Sequence, residues 1–257
     1  SISRDLGFGQ KTGISLDGEV TGRLKPVKDW SAVSLGEIAM GHEVGVTAIQ
    51  LASAYSAIAN GGYLLKPRII KQVMNSDGNI VYSEKSTVIR QVADEGTMKE
   101  VRKMLRGVII DGTGKNAEIQ GFQVAGKTGT AQKWNNGKYS NDQFISNFIG
   151  FFPYENPQLL AFVMLDEPKQ PYHWGAEGAA PAFRNIMSRI INMDDNITPP
   201  FSNNDIITID GGRGEVILGE IPMVIPDLSE DFSNLMKWAD DKRILKIRAN
   251  AETAKDV

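Results

Sequence analysis

Gly121-Phe122-Gln123-Val124-Ala125-Gly126-Lys127-Thr128 is the stretch whose residue types and spacing carry the most chemistry, and it fits two incompatible sites. Spelled G-x-x-x-x-G-K-T, it is a phosphate-cradling loop whose backbone N–H groups and lysine hold the phosphates while the threonine serves magnesium. Read onward through Gly129 and Thr130, it becomes a Lys-Thr-Gly strand, one of the three motifs of serine acyl-transfer sites. The flanking residues discriminate between the two.

A phosphate loop needs a buried strand before its first glycine and a helix opening at the Lys-Thr, whose N-terminal amides and dipole face the phosphates. Lys115 to Gln120 is polar and has no buried-strand pattern, whereas the β-type residues Phe122 and Val124 fall inside the supposed loop. Gly129-Thr130-Ala131-Gln132-Lys133-Trp134-Asn135-Asn136-Gly137 is a poor start for a helix. No helical pattern joins Lys127 to Asp166, so the crossover of a parallel sheet cannot be built. The acids after Leu160 to Leu165, Asp166-Glu167, imitate a magnesium-positioning strand end, but two acids at an exposed strand end are the simpler account.

Few other residues compete for chemistry. Cysteine is absent, which excludes disulfides, thiolate metal sites and cysteine nucleophiles. Two histidines, His42 and His173, make a multi-histidine metal site a poor expectation. The net charge of -3 over 257 residues gives no reason to expect a nucleic acid or an anionic membrane as partner. Hydrophobic residues make up 41% and charged residues 23%, as in an ordinary globular domain. No run approaches a membrane span, and no signal-peptide pattern or initiator Met opens the chain, so it is expected to be a piece of something longer.

The elements that must position the strand are legible in outline. Gly7 to Glu19 reads as loop and turn. Thr47-Ala48-Ile49-Gln50 has the form of a capping box, followed by Leu51, Ala54, Tyr55 and Ile58 at helical spacing and a stop at Asn60-Gly61-Gly62. Strands are expected over Tyr63 to Leu65, Ile69 to Val73 and Ile80 to Tyr82, with a turn at Asp77-Gly78. Met98, Val101, Met104, Leu105 and Val108 predict a helix from Glu95 to Ile110, ended by Gly112-Thr113-Gly114. Phe122 to Gln132, Phe144 to Phe152 and Leu159 to Leu165 follow as strands with short connections, hence antiparallel neighbours. A helix over Ala179 to Met193 closes a main domain of residues 1–196. Residues 197–257 read as a linker, through Pro199-Pro200 and Ser202-Asn203-Asn204, and a small module. That module has strands at Ile206 to Ile209 and Glu215 to Leu218, a helix near Asp231 to Ala239 and a strand at Ile244 to Ile247.

Read continuously, Gly112-Thr113-Gly114-Lys115-Asn116 through Val124-Ala125-Gly126-Lys127-Thr128-Gly129-Thr130-Ala131-Gln132-Lys133 resembles the class B penicillin-binding proteins, the peptidoglycan transpeptidases. Four further segments agree, in the family's order. Phe8 to Glu19 looks like its Thr-Gly-Ile-Asp-Leu-Pro-Gly-Glu loop, with Ser15 and Asp17 as departures. Thr47 to Gly62 resembles its Thr-Pro-x-Gln-Leu helix ending in Ala-Asn-Gly-Gly. Phe148-Ile149-Gly150-Phe151-Phe152-Pro153 with Asn156-Pro157 looks like the strand and turn that follow. Trp174-Gly175 through Ala180-Pro181-Ala182-Phe183 resembles the entry to its last helix. The resemblance covers about residues 1 to 195. It makes the earlier triplet Lys11-Thr12-Gly13 a coincidence of letters in a loop.

The resemblance implies an α+β fold of the penicillin-binding transpeptidase and serine β-lactamase type, an antiparallel sheet with flanking helices, here as a partial domain. It implies a D,D-transpeptidase in which a serine attacks the penultimate D-alanine carbonyl of a stem peptide and an amine of a second strand resolves the acyl-enzyme. Lys127 would be the catalytic cation, and the Thr128 and Thr130 hydroxyls would hold the terminal carboxylate. Gly129 would let the substrate backbone approach, and the Thr130 N–H would serve the oxyanion hole. β-Lactams would bind as mimics of D-Ala-D-Ala. Also implied are a membrane glycosyltransferase partner, no cofactor or metal, and a place on the extracytoplasmic face of the bacterial inner membrane, with an anchor upstream.

Trp134 and Tyr139 flank the hairpin after the strand and either line the cleft or cover it. His173 is either a cleft residue or, the better reading, a hydrogen-bonded structural histidine, and His42 carries no functional signal. No S-x-x-K occurs in the sequence. Thr130-Ala131-Gln132-Lys133 only imitates the ending, and Ser202-Asn203-Asn204 fits S-x-N by letters in a linker. The chain is therefore expected to carry a substrate-binding wall without the nucleophile, and alone not to acylate. Ile225-Pro226-Asp227-Leu228 gives the tail a vague likeness to a PASTA module, without the usual glycine. Two rival classes remain: a phosphate-loop nucleotide hydrolase, and a non-catalytic scaffold on the same fold.

Overall fold

The computed structural model describes residues 1–135, 137–193 and 197, and the backbone of 207–210 and 215–218. The chain forms two compact units, Ser1–Ser202 and Asn203–Val257. In the second, Ile207–Asp210 pairs antiparallel with Glu215–Leu218, the two runs expected as strands. The linker, the expected helix from Asp231 and the strand from Ile244 lie outside the described residues.

The first unit opens with α1 (Ile2–Asp5), β1 (Arg23–Leu24), α2 (Ser34–Ala39) and β2 (Val44–Gly45), none of which sequence periodicity predicted. Such short pieces hold too few residues to show a period. β1 and β2 pair with each other. Then α3 (Ala48–Ala59) forms where the capping box stood. Thr47 Oγ1 accepts the Gln50 N–H at 3.2 Å, and Gln50 Oε1 accepts the Thr47 N–H at 2.9 Å. The same buried Gln50 donates through Nε2 to Gln10 O at 2.8 Å and Thr21 O at 2.9 Å, so one amide caps the helix and closes the N-terminal loop. That loop holds the stray Lys11-Thr12-Gly13. Glu19 accepts the Thr12 N–H and hydroxyl, both at 2.6 Å, and this triplet lies in a loop and not in a strand.

β3 (Tyr63–Leu65) pairs with β6 (Val88–Gln91), a strand the sequence did not announce. Between them β4 (Gln72–Met74) pairs with β5 (Ile80–Ser83). The expected strand over Ile69 to Val73 is thus displaced towards the turn, where Asn75 Oδ1 accepts the N–H of Asp77 and of Asn79. α4 (Glu95–Ile110) is capped by Asp94, which accepts the Thr97 N–H at 2.9 Å. Its buried residues are Met98, Arg102 and Ile109, a face rotated from the expected one and leaving Met104 exposed. The rotation has a polar cause: Arg102 turns inward to donate to Ile58 O at 3.1 Å and to Glu95 at 2.5 Å, tying α4 to the end of α3.

The central sheet is β7 (Ala125–Asn135), β8 (Lys138–Phe152) and β9 (Leu159–Asp166), antiparallel in that order. The last five residues of β8, Phe148 to Phe152, are all buried, so both faces of the sheet are covered there. α5 (Ala179–Ile191) covers one face. Phe183 packs on Phe148 with ring centroids 4.8 Å apart, and Val124, Phe152, Ala180 and Met187 complete the core. Burying such aromatic side chains contributes about 1.5–3 kcal/mol each. β7 starts three residues later than expected, because Gly121 and Gln123 adopt φ +84° and +49°. Phe122 instead turns to pack edge-on against Phe152 at 5.7 Å.

Candidate functional site

The turn at Gly121–Gln123 delivers the chain into β7, and Arg106 of α4 fixes the entry. Its guanidinium donates to Val124 O at 2.8 Å and to both oxygens of Glu118, at 2.5 and 3.0 Å. Lys127 and Thr128 therefore lie in a strand that continues to Asn135, with β8 antiparallel beside it. Among the described residues no helix opens at Lys127-Thr128, as a phosphate loop requires. Asp166 and Glu167, its supposed magnesium acids, instead receive Lys133 Nζ at 3.0 and 2.7 Å. Those two bonds, the one to Glu167 first, hold the Lys133 pKa above its usual value.

Among the described residues β7 pairs only with β8, so it is an edge strand. Residues directly opposite share a face and successive residues alternate. Thr128 stands opposite Phe148 and Thr130 opposite Ser146, so both hydroxyls project to the face of α5. Lys127 and Gly129, opposite Ile149 and Asn147, project to the other face. The cation and the hydroxyls can thus converge on one ligand only around the free strand edge. Lys127 and Thr130 are exposed, Thr128 and Gly129 half-buried. Lys127 Nζ donates to Thr128 O at 2.9 Å, so the ammonium lies back along its own strand with further donors available.

Both hydroxyls have protein partners that sequence reasoning missed. Thr128 Oγ1 lies 2.5 Å from Thr113 Oγ1, and Thr130 Oγ1 accepts the Gly175 N–H at 3.0 Å. Neither contact consumes the site's donors. The Thr113–Thr128 pair has two protons and uses one, and Thr130 keeps its own. The arrangement is a cation and two hydroxyl donors beside a strand edge, which can hold a carboxylate. Gly129 has a second reason to be glycine. A Cβ there would strike the Asn147 side chain, coming within 2.8 Å of Nδ2 and colliding with Oδ1. Only the pairing register reveals Asn147, which carries no motif.

Tyr139 meets His42 edge-on at 5.8 Å and lines a cavity of about 610 Å³ with Arg23, Lys25 and Glu43, a cavity that Lys127 does not line. There Lys25, at 3.0 Å, and the Ser34 hydroxyl, at 2.9 Å, hold the Glu43 carboxyl below its usual pKa. His173 differs from expectation: it is buried between Phe144 and Trp174, and its Nδ1 has no hydrogen-bond partner among the described residues. The Trp134 side chain and Ser202-Asn203-Asn204 lie outside the described residues. Among those residues no group of three metal-ligating side chains occurs, and no helix is long and apolar enough to cross a membrane.

An antiparallel sheet with helices against it and a Lys-Thr-Gly-Thr edge strand is the architecture of a penicillin-binding transpeptidase domain. Residues 1–188 match the family model of the penicillin-binding protein transpeptidase domain, and the chain belongs to that family, as part of the transpeptidase domain of a class B member. It is 43% identical over 185 residues to stage V sporulation protein D of Bacillus subtilis, covering 72% of this chain and 29% of that protein. It is 32% identical over 190 residues to a probable peptidoglycan D,D-transpeptidase PenA of Neisseria meningitidis, covering 74% of this chain and 31% of that protein. Among solved structures, penicillin-binding protein 3 of Mycobacterium tuberculosis, complexed with aztreonam, superposes with a TM-score of 0.68 at 34% identity. That match covers 78% of this chain and 46% of the other. The chain thus spans about a third or less of the length of these two curated relatives.

Proposed function

We propose that this chain supplies the substrate-binding wall of a peptidoglycan D,D-transpeptidase. The observation that carries the reading is the edge strand Lys127-Thr128-Gly129-Thr130, with a cation on one face and two hydroxyls on the other, Thr130 keeping its proton and the Thr113–Thr128 pair keeping one. A stem peptide ending in D-Ala-D-Ala lies along the strand edge. Its terminal carboxylate takes hydrogen bonds from the Thr128 and Thr130 hydroxyls, and Lys127 adds positive charge beside the scissile carbonyl. The Thr130 N–H is one donor to the oxygen that becomes negative when a serine adds to that carbonyl. D-Alanine leaves, and an amine of a second strand takes the acyl group. β-Lactams occupy the same wall, as the aztreonam complex of the M. tuberculosis relative suggests by likeness.

The serine is not supplied by these 257 residues, which hold no S-x-x-K. Incubation with a labelled penicillin, followed by mass measurement, tests this. The full-length protein containing this chain gains one penicillin and the 257-residue chain gains none. Labelling of the isolated chain would place a nucleophile within it. No labelling of the full-length protein would favour a non-catalytic scaffold on the same fold.

A further inference from the structure

The segment between β9 and α5 rests directly on the substrate strand. Gly175, 45 residues from Thr130 in sequence, donates its N–H to Thr130 Oγ1 at 3.0 Å. A Cβ on Gly175 would lie 2.6 Å from Gly129 O, 2.7 Å from Asn147 O and 3.0 Å from Gly129 N. Only glycine lets the two backbones approach this closely.

The neighbours of Gly175 are fixed from three sides. Asn116 Nδ2 donates to Ala176 O at 2.9 Å. Gly178 is packed so that a Cβ would collide with Tyr172 O and come within 3.1 Å of the buried Ser146 Oγ. His173 is 9% exposed, with its ring 5.1 Å from that of Phe144 and 4.8 Å from that of Trp174. Ser146 Oγ and His173 Nδ1 both lack hydrogen-bond partners among the described residues. Burying two such groups unpaired is costly. The segment is therefore held closed by packing and by the Gly175 and Asn116 bonds.

We propose that Gly175 is a positioning residue that aims the Thr130 hydroxyl, with the His173 ring keeping it in place. This rests on the reading of Thr130 as a carboxylate donor. A hydroxyl has one proton and two lone pairs. With one lone pair taken by the Gly175 N–H, the Thr130 side chain is fixed and its proton is confined to the remaining directions. A carboxylate at the strand edge then meets a donor already oriented. Freed from Gly175, the hydroxyl would have to be ordered by each ligand it binds.

The test compares acylation of the full-length protein by benzylpenicillin, which has a free carboxylate, and by its methyl ester, which has none. A charge-assisted hydrogen bond is worth about 1.5–3 kcal/mol, so losing it slows acylation roughly 10- to 150-fold. Gly175→Ala leaves the Thr130 hydroxyl in place but unoriented, so it is expected to slow the acid roughly 2- to 12-fold, the cost of ordering one side chain, and the ester by less, shrinking the preference for the acid. Thr130→Val, which removes the hydroxyl, should slow the acid by the full range, and the double variant should be no slower than Thr130→Val. Should Gly175→Ala fail to fold, His173→Ala gives the same selective loss, and His173→Phe, which keeps the ring packing, restores the acid rate. Equal loss with both penicillins, or additive effects of Gly175→Ala and Thr130→Val, would overturn the positioning role. A wild-type protein acylated equally fast by acid and ester would overturn the carboxylate reading beneath it, a distinct outcome.

Discussion

Arg106→Met tests how β7 is held. The side chain of Arg106 is 17% exposed and that of Glu118 36%, and the guanidinium makes three hydrogen bonds, one of them to Val124 O at the entry to β7. Methionine keeps most of the apolar stem and removes every donor. Val124 is buried, so its carbonyl would lose this donor, costing about 1–3 kcal/mol. Glu118 recovers part of its hydration and adds about 1 kcal/mol. The sum is about 2–4 kcal/mol, a fall in melting temperature of roughly 5–12 °C for a domain of this size. Thermal and urea unfolding of the full-length protein measure it. Glu118→Gln should cost less, and the two changes should couple by about 1 kcal/mol or more in a double-mutant cycle. A loss under about 0.5 kcal/mol for Arg106→Met, or strict additivity with Glu118→Gln, would refute the claim that this triad anchors β7.

Two further outcomes follow from the ionised groups. The Thr12 hydroxyl, with the N–H groups of Thr12 and Gly13, holds the Glu19 carboxyl below its usual pKa. Its folded pKa lies below the unfolded one, so the loop's stabilisation is present above the ordinary glutamate value of about 4.3 and is lost as pH falls through the folded value. Amide-exchange protection of Thr12 and Gly13, corrected for intrinsic rates, should decline through that acid window in wild type and be independent of pH in Glu19→Gln, whose one acceptor oxygen does not titrate; protection that is flat in wild type would contradict the bond. Lys133→Ala removes an exposed pair with Asp166 and Glu167, so melting should shift by no more than about 2 °C and penicillin labelling of the full-length protein should persist. Loss of labelling would revive Thr130-Ala131-Gln132-Lys133 as a functional motif.

What sequence made legible was whatever local chemistry enforces. The Thr47–Gln50 capping box, the Asp77-Gly78 turn and the short links between β7, β8 and β9 depend on residues close in sequence, and each formed. The start of β7 was misjudged because Phe122 has strand character, yet its ring is claimed by Phe152 and the backbone turns at Gln123. The buried face of α4 was misjudged because an arginine took an apolar position to reach Ile58 O. At the site, Lys127 to Thr130 could be read from their letters. Their partners Thr113, Asn147 and Gly175 could not, since a cross-strand register and a contact spanning 45 residues leave no local pattern. For His173 the structural reading holds in its burial against Phe144, a tertiary fact, while its Nδ1 has no hydrogen-bond partner among the described residues.

The central claim is that Lys127 and the hydroxyls beside it bind and polarise the acyl donor. The most direct measurement is the second-order rate of penicillin acylation of the full-length protein carrying Lys127→Ala, with melting temperature as a folding control. Lys127 is exposed and among the described residues its Nζ makes one hydrogen bond, to the neighbouring Thr128 O, so stability should barely change. The acylation rate should fall on the order of 10²-fold or more, as on loss of a charged group that stabilises the reacting centre. A folded Lys127→Ala protein acylated at the wild-type rate would contradict the account.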